Sequence, residues 1–370
     1  MLTKFEVTNF KNFEKTFTFD FTNTKQYAFN AECVNQGIVN KALIYGPNGV
    51  GKSNLGFALF DLVGHLTSNN LHPDNYKHYL NAISQDTLAE FTYEFKFDQH
   101  TVEYRYGKSS KRALIFEKLI IDSKEYISID RRNSPVADIN FDGTQSLQKD
   151  LGDAQISVIS YIRNNAVLAT NDINRCFSQF IQFVNGMLFF RSLQDNSYIG
   201  YKEEYDDALA YILDKGSLEG FQSFLNEAGI KCQLSTIEDE NGVKIRFVIG
   251  KKHYPFYEIA STGTKSLTLF YAWYQRLRDT SNYSFVFIDE FDAFYHHSLS
   301  TMIIEKLRDV QAQLVLTTHN TSIMSNDLLR PDCYFLMNEQ QINSLANRTR
   351  KELRFAHNIE KMYKAGTFGV

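Results

Sequence analysis

The fold of this chain is constrained most by one octapeptide, GPNGVGKS, at residues Gly46–Ser53. An apolar run, Ala42–Tyr45, precedes it, and the segment Ser53–Val63 that follows has helical character. Glycines allow the backbone to curl until its N–H groups and the start of the helix face one point, which is the geometry that binds phosphate. The sequence therefore predicts a buried strand, a phosphate-binding loop and a helix within an α/β fold.

The residue types in this loop match the chemistry of a nucleoside triphosphate and Mg²⁺. We expect the Lys52 ammonium to meet the charges of the β- and γ-phosphates and the Ser53 hydroxyl to reach Mg²⁺. The alternative is a glycine turn that only caps a helix. The residues predicted to bind ATP and Mg²⁺ are Gly46, Asn48, Gly49, Gly51, Lys52 and Ser53.

Composition and charge exclude several other classes of protein. The 370 residues are 43% apolar and 22% charged, as in an ordinary globular protein. Lys and Arg number 39 against 43 Asp and Glu, so the net charge of −4 gives no overall attraction to nucleic acid or a membrane surface. The four cysteines form no C-x-x-C pair, which indicates reduced thiols. Because no apolar stretch approaches 18 residues and the N-terminus lacks an apolar export signal, we expect a cytoplasmic protein without a membrane segment.

Hydrophobic periodicity predicts antiparallel strands in the first third of the chain. Two short strands, Thr3–Thr8 and Thr16–Phe21, are joined by a polar turn and form an antiparallel pair. Alternating aromatic segments between about 88 and 131 then predict an antiparallel meander with one solvated face.

The period changes to that of helices between about 155 and 228. Apolar residues recur mostly at spacings of three and four from Ile173 to Leu188, and another helix is expected at Leu218–Leu225. The dipeptide Asn241-Gly242 then predicts the turn of a hairpin between Gln233–Glu238 and Val243–Ile249.

An α/β pattern returns after residue 250. Helices are predicted at Lys265–Leu277 and His297–Val310, each followed by a buried strand. We therefore predict a discontinuous α/β domain, residues 1–107 and 251–370, interrupted by a β-meander and helical insertion, residues 108–250. No heptad repeat is long enough for a long coiled coil.

Two carboxylates follow the second buried strand, Phe285–Ile288. Asp289, at the carboxyl end of that strand, is placed to bind Mg²⁺ directly or through water, and Glu290 can polarise the attacking water. Alone, a buried strand that ends in Asp-Glu is also a common turn. Together with the phosphate-binding loop, the pair predicts Mg²⁺-dependent ATP hydrolysis with Glu290 as a catalytic residue.

A histidine follows the next buried strand, Leu314–Leu316. Parallel sheets bind ligands beyond the carboxyl ends of their strands, so Gly46, Asp289 and His319 are expected at one edge. His319 would then sense the γ-phosphate, although a histidine at a strand end is more often structural. The spacing between Asp289 and His319 allows one helical crossover between adjacent strands.

The segment Ala260–Ser266 lies just before a predicted helix, and Ser261 could simply be its N-cap. The segment also resembles the LSGGQ signature loop of ABC-type ATPases, with Ser261 and Gly263 at the matching positions. Thr262 and Thr264 replace the first glycine and the glutamine, as in the S-[ST]-G-T form of RecF-like, OLD-like and defence-associated ABC ATPases.

With these motifs in order, the chain resembles ABC ATPases of the SMC and RecF class. The opening Phe5–Phe13 resembles their "NF+xF" motif, which implies that Lys11 and Asn12 lie against the nucleotide. Asp292 occupies the place of their D-loop aspartate. The resemblance implies an ATP-dependent homodimer or higher oligomer in which Ser261 acts on the nucleotide bound at Lys52 of the other copy.

The segment Asn358–Gly369 resembles the end of ABC-type ATPases found in two-gene phage-defence systems, of which the PARIS-like systems are the nearest likeness. This implies a sensor ATPase that controls a separate, nuclease-like effector of the TOPRIM type. A RecF-like repair ATPase that binds DNA is one alternative, and a nucleotide-gated scaffold with little hydrolysis is another.

Overall fold

The computed structural model describes residues 1–67, 76–152, 154–191, 197–200, 207–240, 242–279, 282–293 and 297–369. The chain divides into two compact units. The larger unit comprises Met1–Tyr201, Asn282–Phe291 and Ala312–Val370, and the smaller unit comprises Lys202–Ser281 and Asp292–Gln311. Strands and helices are numbered here in chain order.

The first sheet of the larger unit is antiparallel. Its strands are β1 (Leu2–Thr8), β2 (Phe17–Asp20), β6 (Ala89–Phe97), β7 (His100–Lys108), β8 (Leu114–Ile121), β9 (Lys124–Asp130) and β10 (Asp138–Ile139), in the order β10-β9-β8-β7-β6-β1-β2. Alternate residues along β6, among them Phe91, Tyr93 and Phe95, are buried, as expected for a sheet with one face on a core. The predicted N-terminal pair and the predicted meander are both confirmed, and they belong to one sheet.

The second sheet of the larger unit contains the buried strands next to the sequence motifs. Its strands are β5 (Lys41–Tyr45), β11 (Met187–Arg191), β12 (Ser197–Gly200), β16 (Phe285–Asp289), β17 (Gln313–Thr318), β18 (Tyr334–Met337) and β19 (Ile342–Ser344), in the order β12-β11-β16-β17-β5-β18-β19. The five central strands of this order pair in parallel with one another. Each of the two edge strands, β12 and β19, is antiparallel to its neighbour. The predicted parallel sheet is confirmed. A short hairpin, β3 (Val34–Asn35) and β4 (Ile38–Val39), precedes β5.

The helices of the larger unit are α1 (Lys52–Leu59), α2 (Asp61–Leu66), α3 (Val158–Asn165), α4 (Asp172–Asn185) and α10 (Ile359–Lys364). The single helix predicted after the phosphate-binding loop is interrupted at Phe60. Helix α4 begins at an Asn171 N-cap and packs Phe180 against Phe95 of β6, with ring centroids 5.3 Å apart.

The prediction of a helix from Ile173 to Leu188 is wrong at its end. Helix α4 stops at Asn185, and Met187 and Leu188 belong to β11, which pairs with β16. Gly186 separates the two elements, and a side chain there would collide with the backbone carbonyl of Asn282. The apolar run Met187–Phe190 suits either element by periodicity, so only its pairing decides the outcome.

The sequence-based division at residue 107 also differs from the observed units. Strand β7 runs across that position, and it pairs with β6 on one side and β8 on the other. Residues up to 201 consequently belong to the larger unit, because their strands continue sheets that the N-terminal part begins.

The smaller unit contains α5 (Ala208–Asp214), α6 (Leu218–Glu227), β13 (Leu234–Asp239), β14 (Gly242–Ile249), β15 (Lys252–Pro255), α7 (Phe256–Ile259), α8 (Thr262–Asp279) and α9 (His297–Arg308). The predicted hairpin is confirmed as β13 and β14, and β15 extends its sheet. Asn241 of its predicted turn lies outside the described residues. Tyr271 of α8 packs against Phe221 and Phe224 of α6 at 5.2 and 5.1 Å between centroids.

In the described part of the chain, no helix has both the length and the apolar character needed to cross a membrane. None of the four cysteines forms a disulfide, and burial raises the pKa of the Cys176 thiol to about 11.

Candidate functional site

Three motifs lie along one edge of the parallel sheet. Strand β5 leads into the loop at Gly46, β16 ends at Asp289, and β17 ends at Thr318 beside His319. Because β17 pairs in parallel with both β5 and β16, the carboxyl ends of all three strands point to the same edge. This confirms the predicted arrangement of Gly46, Asp289 and His319.

The phosphate-binding loop is closed by its own lysine. Lys52, the first residue of α1, is buried, and its Nζ donates hydrogen bonds to the carbonyl oxygens of Gly46 and Pro47 at 2.8 and 3.1 Å. Burial lowers the pKa of Lys52, and the carboxylates of Glu290 and Asp289 act in the opposite direction. The ammonium therefore lies inside the loop, within the electrostatic reach of the acidic pair.

Glycines are required in this loop by the space around them. A Cβ at Gly46 would lie 2.6 Å from the carbonyl oxygen of Met337. Gly51 has a φ of +99°, a conformation that side chains rarely adopt, and a Cβ there would collide with the carboxamide of Asn12. The loop is thus packed tightly against Met337 at Gly46 and against Asn12 at Gly51.

The other predicted loop residues take positions consistent with a phosphate cradle. Asn48 and Gly49 are exposed at the turn, and Ser53 is the second residue of α1. The Asn12 carboxamide donates to the carbonyl of Val50 at 3.3 Å and accepts from Asn54 at 2.7 Å, so Asn12 braces the loop and the helix behind it.

The acidic pair at the end of β16 is held by β17. Asp289 is buried, and its Oδ1 accepts a hydrogen bond of 2.7 Å from the Thr317 hydroxyl. Glu290 has a φ of +50°, and its backbone N–H donates to the same hydroxyl at 2.7 Å. The Glu290 carboxylate is partly exposed and lies 3.9 Å from Nε2 of His319. A buried carboxylate and a partly exposed one are therefore adjacent at the end of β16.

Arg191 is a residue of this edge that sequence reasoning missed. It ends β11, and its Cα is paired with that of Asp289. Its guanidinium lies 4.8 Å from the ring centroid of Phe57 on α1, and Lys11 Nζ lies 5.4 Å from the same centroid. Burial, and then the charge of Arg191, lower the pKa of Lys11. The helix predicted from Ile173 to Leu188 includes the first residues of β11, and no sequence signal places this arginine beside Asp289.

Three predicted residues belong to the smaller unit. Helix α8 begins at Thr262, three residues earlier than predicted, so Gly263 lies in its first turn. The Ser261 hydroxyl accepts a hydrogen bond of 3.1 Å from the backbone N–H of Thr264, which is the geometry of an N-cap. Asp292 is the first residue of this unit after β16. The larger unit therefore contains the phosphate-binding loop and the acids, but not Ser261, Gly263 or Asp292.

Solved structures of similar fold include the heads of SMC proteins. The structure described as the SmcHead bound to the C-winged helix domain of ScpA aligns with a TM-score of 0.50, at 14% identity, over 93% of this chain and 97% of its own. The SMC head domain from Thermotoga maritima aligns with a TM-score of 0.45, at 14% identity, over 93% of this chain and 98% of its own. The recombination mediator protein RecF aligns with a TM-score of 0.40, at 13% identity, over 94% of this chain and 98% of its own. Among curated proteins, none matches the chain.

The parallel sheet, its phosphate-binding loop and the acidic pair define a P-loop ATPase with the fold of an SMC head. No long coiled coil interrupts it within the described residues. A family model matches residues 41–325 and is described as "AAA domain, putative AbiEii toxin, Type IV TA system". The chain belongs to this family.

Proposed function

We propose that this ATPase is a molecular switch that binds ATP with Mg²⁺ and hydrolyses it between two copies of the chain. The observation that carries the proposal is the common edge of β5, β16 and β17. A buried ammonium, a buried carboxylate and a partly exposed carboxylate meet there. These groups supply charge neutralisation, metal binding and proton acceptance, the three requirements of phosphoryl transfer to water.

In this proposal each residue of the edge has one role. Lys52 and the backbone of Gly46–Gly51 hold the phosphates, while Ser53 and Asp289 hold Mg²⁺. The metal, when bound, neutralises charge on the phosphate oxygens. Glu290 accepts the proton of the water that attacks the γ-phosphorus, so that ADP and inorganic phosphate leave, and His319 orients that water. Lys11 is assigned to the nucleotide, and Asn12 supports the loop from its protein side through its bonds to Val50 and Asn54.

Ser261, Gly263 and Asp292 are proposed to act on the nucleotide held by a second copy. The Ser261 hydroxyl lies at the N-terminus of α8, an 18-residue helix whose dipole places partial positive charge there. Such a terminus suits the γ-phosphate of a bound nucleotide. ATP would then join the two copies, and hydrolysis would release them.

Mixing two inactive variants tests this arrangement. We expect Lys52→Ala and Ser261→Arg each to be inactive alone, because each alters both sites of its homodimer. A mixed dimer has one intact site, made of Lys52 from one copy and Ser261 from the other. Random assortment of equal amounts should restore about a quarter of wild-type phosphate release. A mixture no more active than its separate components would contradict action across a dimer.

We further propose that the switch controls a separate, nuclease-like effector in phage defence. The support is the family description, which names a toxin and a type IV toxin–antitoxin system, together with the sequence resemblance to defence ATPases. The proposal places the nuclease chemistry in a second protein, and within the described residues no group of three or more His, Cys, Asp or Glu side chains could hold a metal.

Affinity purification of Glu290→Gln with ATP, from cells that express the native locus, tests the effector. A stoichiometric second protein with nuclease activity is the expected result, and wild-type protein with ADP should retain less of it. Recovery of a homodimer with DNA alone would support a RecF-like repair role instead. Equal, negligible turnover of wild type and Glu290→Gln would support a scaffold.

A further inference from the structure

The turn after β16 is held by one side chain of the neighbouring strand. Thr317 is fully buried, and its hydroxyl contacts both members of the acidic pair at 2.7 Å. It donates to Oδ1 of Asp289 and accepts from the backbone N–H of Glu290. The carbonyl of Thr317 also accepts a hydrogen bond of 3.2 Å from the N–H of Phe291. The three residues Asp289–Phe291 are therefore each bonded to Thr317.

The direction of these bonds is fixed by the groups involved. A carboxylate oxygen can only accept and a backbone N–H can only donate, so the single hydroxyl hydrogen must point to Asp289. The same hydroxyl oxygen then uses a lone pair for Glu290. No rotation of the hydroxyl can satisfy either partner better without the loss of the other. Thr317 thus sets the orientation of the Asp289 carboxylate and the position of the Glu290 backbone at the same time.

The backbone of Glu290 needs such support. Its φ of +50° is unfavourable for a residue with a side chain of this size, and such conformations persist only where the surroundings hold them. The bond from the N–H of Glu290 to Thr317 keeps it in the conformation that leaves the carboxylate 3.9 Å from His319.

We propose that Thr317 is a positioning residue for ATP hydrolysis, which couples the metal-binding carboxylate to the catalytic one. This inference rests on the proposed function of the site. Thr317 does not touch the reacting atoms. Its hydroxyl holds Glu290 in the position for proton acceptance. Loss of the hydroxyl should therefore lower the rate of the chemical step. ATP binding depends on the loop and should stay nearly unchanged.

The pair Thr317→Ser and Thr317→Ala isolates the hydroxyl, because serine keeps it and both variants lose the same methyl group. We expect Thr317→Ala to lower kcat about 10- to 100-fold and Thr317→Ser to stay within about threefold of wild type. The dissociation constant for ATP with Mg²⁺ should change less than about threefold in both. Thr144→Ala is the matched control, since Thr144 is also buried and its hydroxyl bonds only a backbone carbonyl, that of Phe141.

Several results would overturn the proposal. Equal losses of kcat in the serine and alanine variants would mean that the lost methyl group, and thus packing, causes the effect. A loss of ATP affinity without a loss of kcat would mean that Thr317 supports the phosphate-binding loop. Should Thr317→Ala not fold, Thr317→Val keeps the volume without the hydroxyl. If valine also fails to fold while serine folds, the hydroxyl is structural and the proposal fails. A wild-type protein whose phosphate release does not depend on Glu290 would instead contradict the proposed function itself.

Discussion

Replacement of Glu290 by glutamine is expected to lower kcat for ATP hydrolysis by about 10²- to 10⁴-fold, the range of a positioned general base. The amide keeps the size of the side chain and its place at 3.9 Å from His319, but it cannot accept a proton from water. ATP affinity should be retained, because Lys52 and the loop backbone are unchanged. Phosphate release at saturating ATP and calorimetric titration with ATP and Mg²⁺ measure the two quantities.

The matched control for this variant is Glu14→Gln, which removes an equal charge at an exposed position outside the edge. It should retain wild-type kcat. A Glu290→Gln protein with kcat within tenfold of wild type would mean that Glu290 is not the base. A variant that no longer binds ATP would mean that Glu290 supports the loop.

Replacement of Lys52 by alanine should abolish both binding and hydrolysis. The buried ammonium is the cation placed within the loop, where it donates to the carbonyls of Gly46 and Pro47. Each charge-assisted hydrogen bond to phosphate contributes about 1.5–3 kcal/mol, which corresponds to roughly 10- to 100-fold in affinity. With bonds to two phosphates lost, the dissociation constant for ATP should rise by about 100-fold or more, as measured by the same titration.

An exposed lysine supplies the control for this second variant. Lys15→Ala, outside the loop, should bind ATP as wild type does. Circular dichroism should show both proteins folded, since the Lys52 ammonium bonds carbonyl groups of its own loop. Retention of wild-type ATP affinity by Lys52→Ala would show that the loop does not bind the phosphates through this residue. The two variants therefore separate ATP binding from hydrolysis, since Glu290→Gln should lose hydrolysis alone and Lys52→Ala should lose both.

The site was predictable where a few adjacent residues carry the signal. The loop Gly46–Ser53 combines glycines and a lysine directly after an apolar run, and Asp289 and Glu290 follow a second apolar run that we predict as a buried strand. Each motif follows a strand, and the carboxyl ends of parallel strands lie at the same edge of a sheet, so the motifs are expected together there. Local sequence therefore sufficed for the loop, the acids and His319.

The parts that were missed depend on pairing between distant segments. Strand β11 was missed because Met187–Phe190 continues the apolar spacing of α4, and its parallel partner lies nearly one hundred residues later. Arg191 and Thr317 lie beside Asp289 because of how their strands pair with β16, which no local pattern specifies. The short strand β18 was likewise not predicted, although it pairs with β5 and its Met337 carbonyl limits the space at Gly46.

The arrangement of the parallel sheet also sets the order in which the protein can mature during its synthesis. The N-terminal strands β1 and β2 pair with each other, and β6 to β9 pair in sequence, so much of the first sheet can form as the chain leaves the ribosome. Strand β5 has no such early partner. It lies between β17 and β18, and the bond from Lys41 to the carbonyl of Ala312 joins residues 271 positions apart. A nascent chain can therefore carry the whole phosphate-binding loop and still lack both strands that hold it in place, so competence for nucleotide is acquired only late in translation.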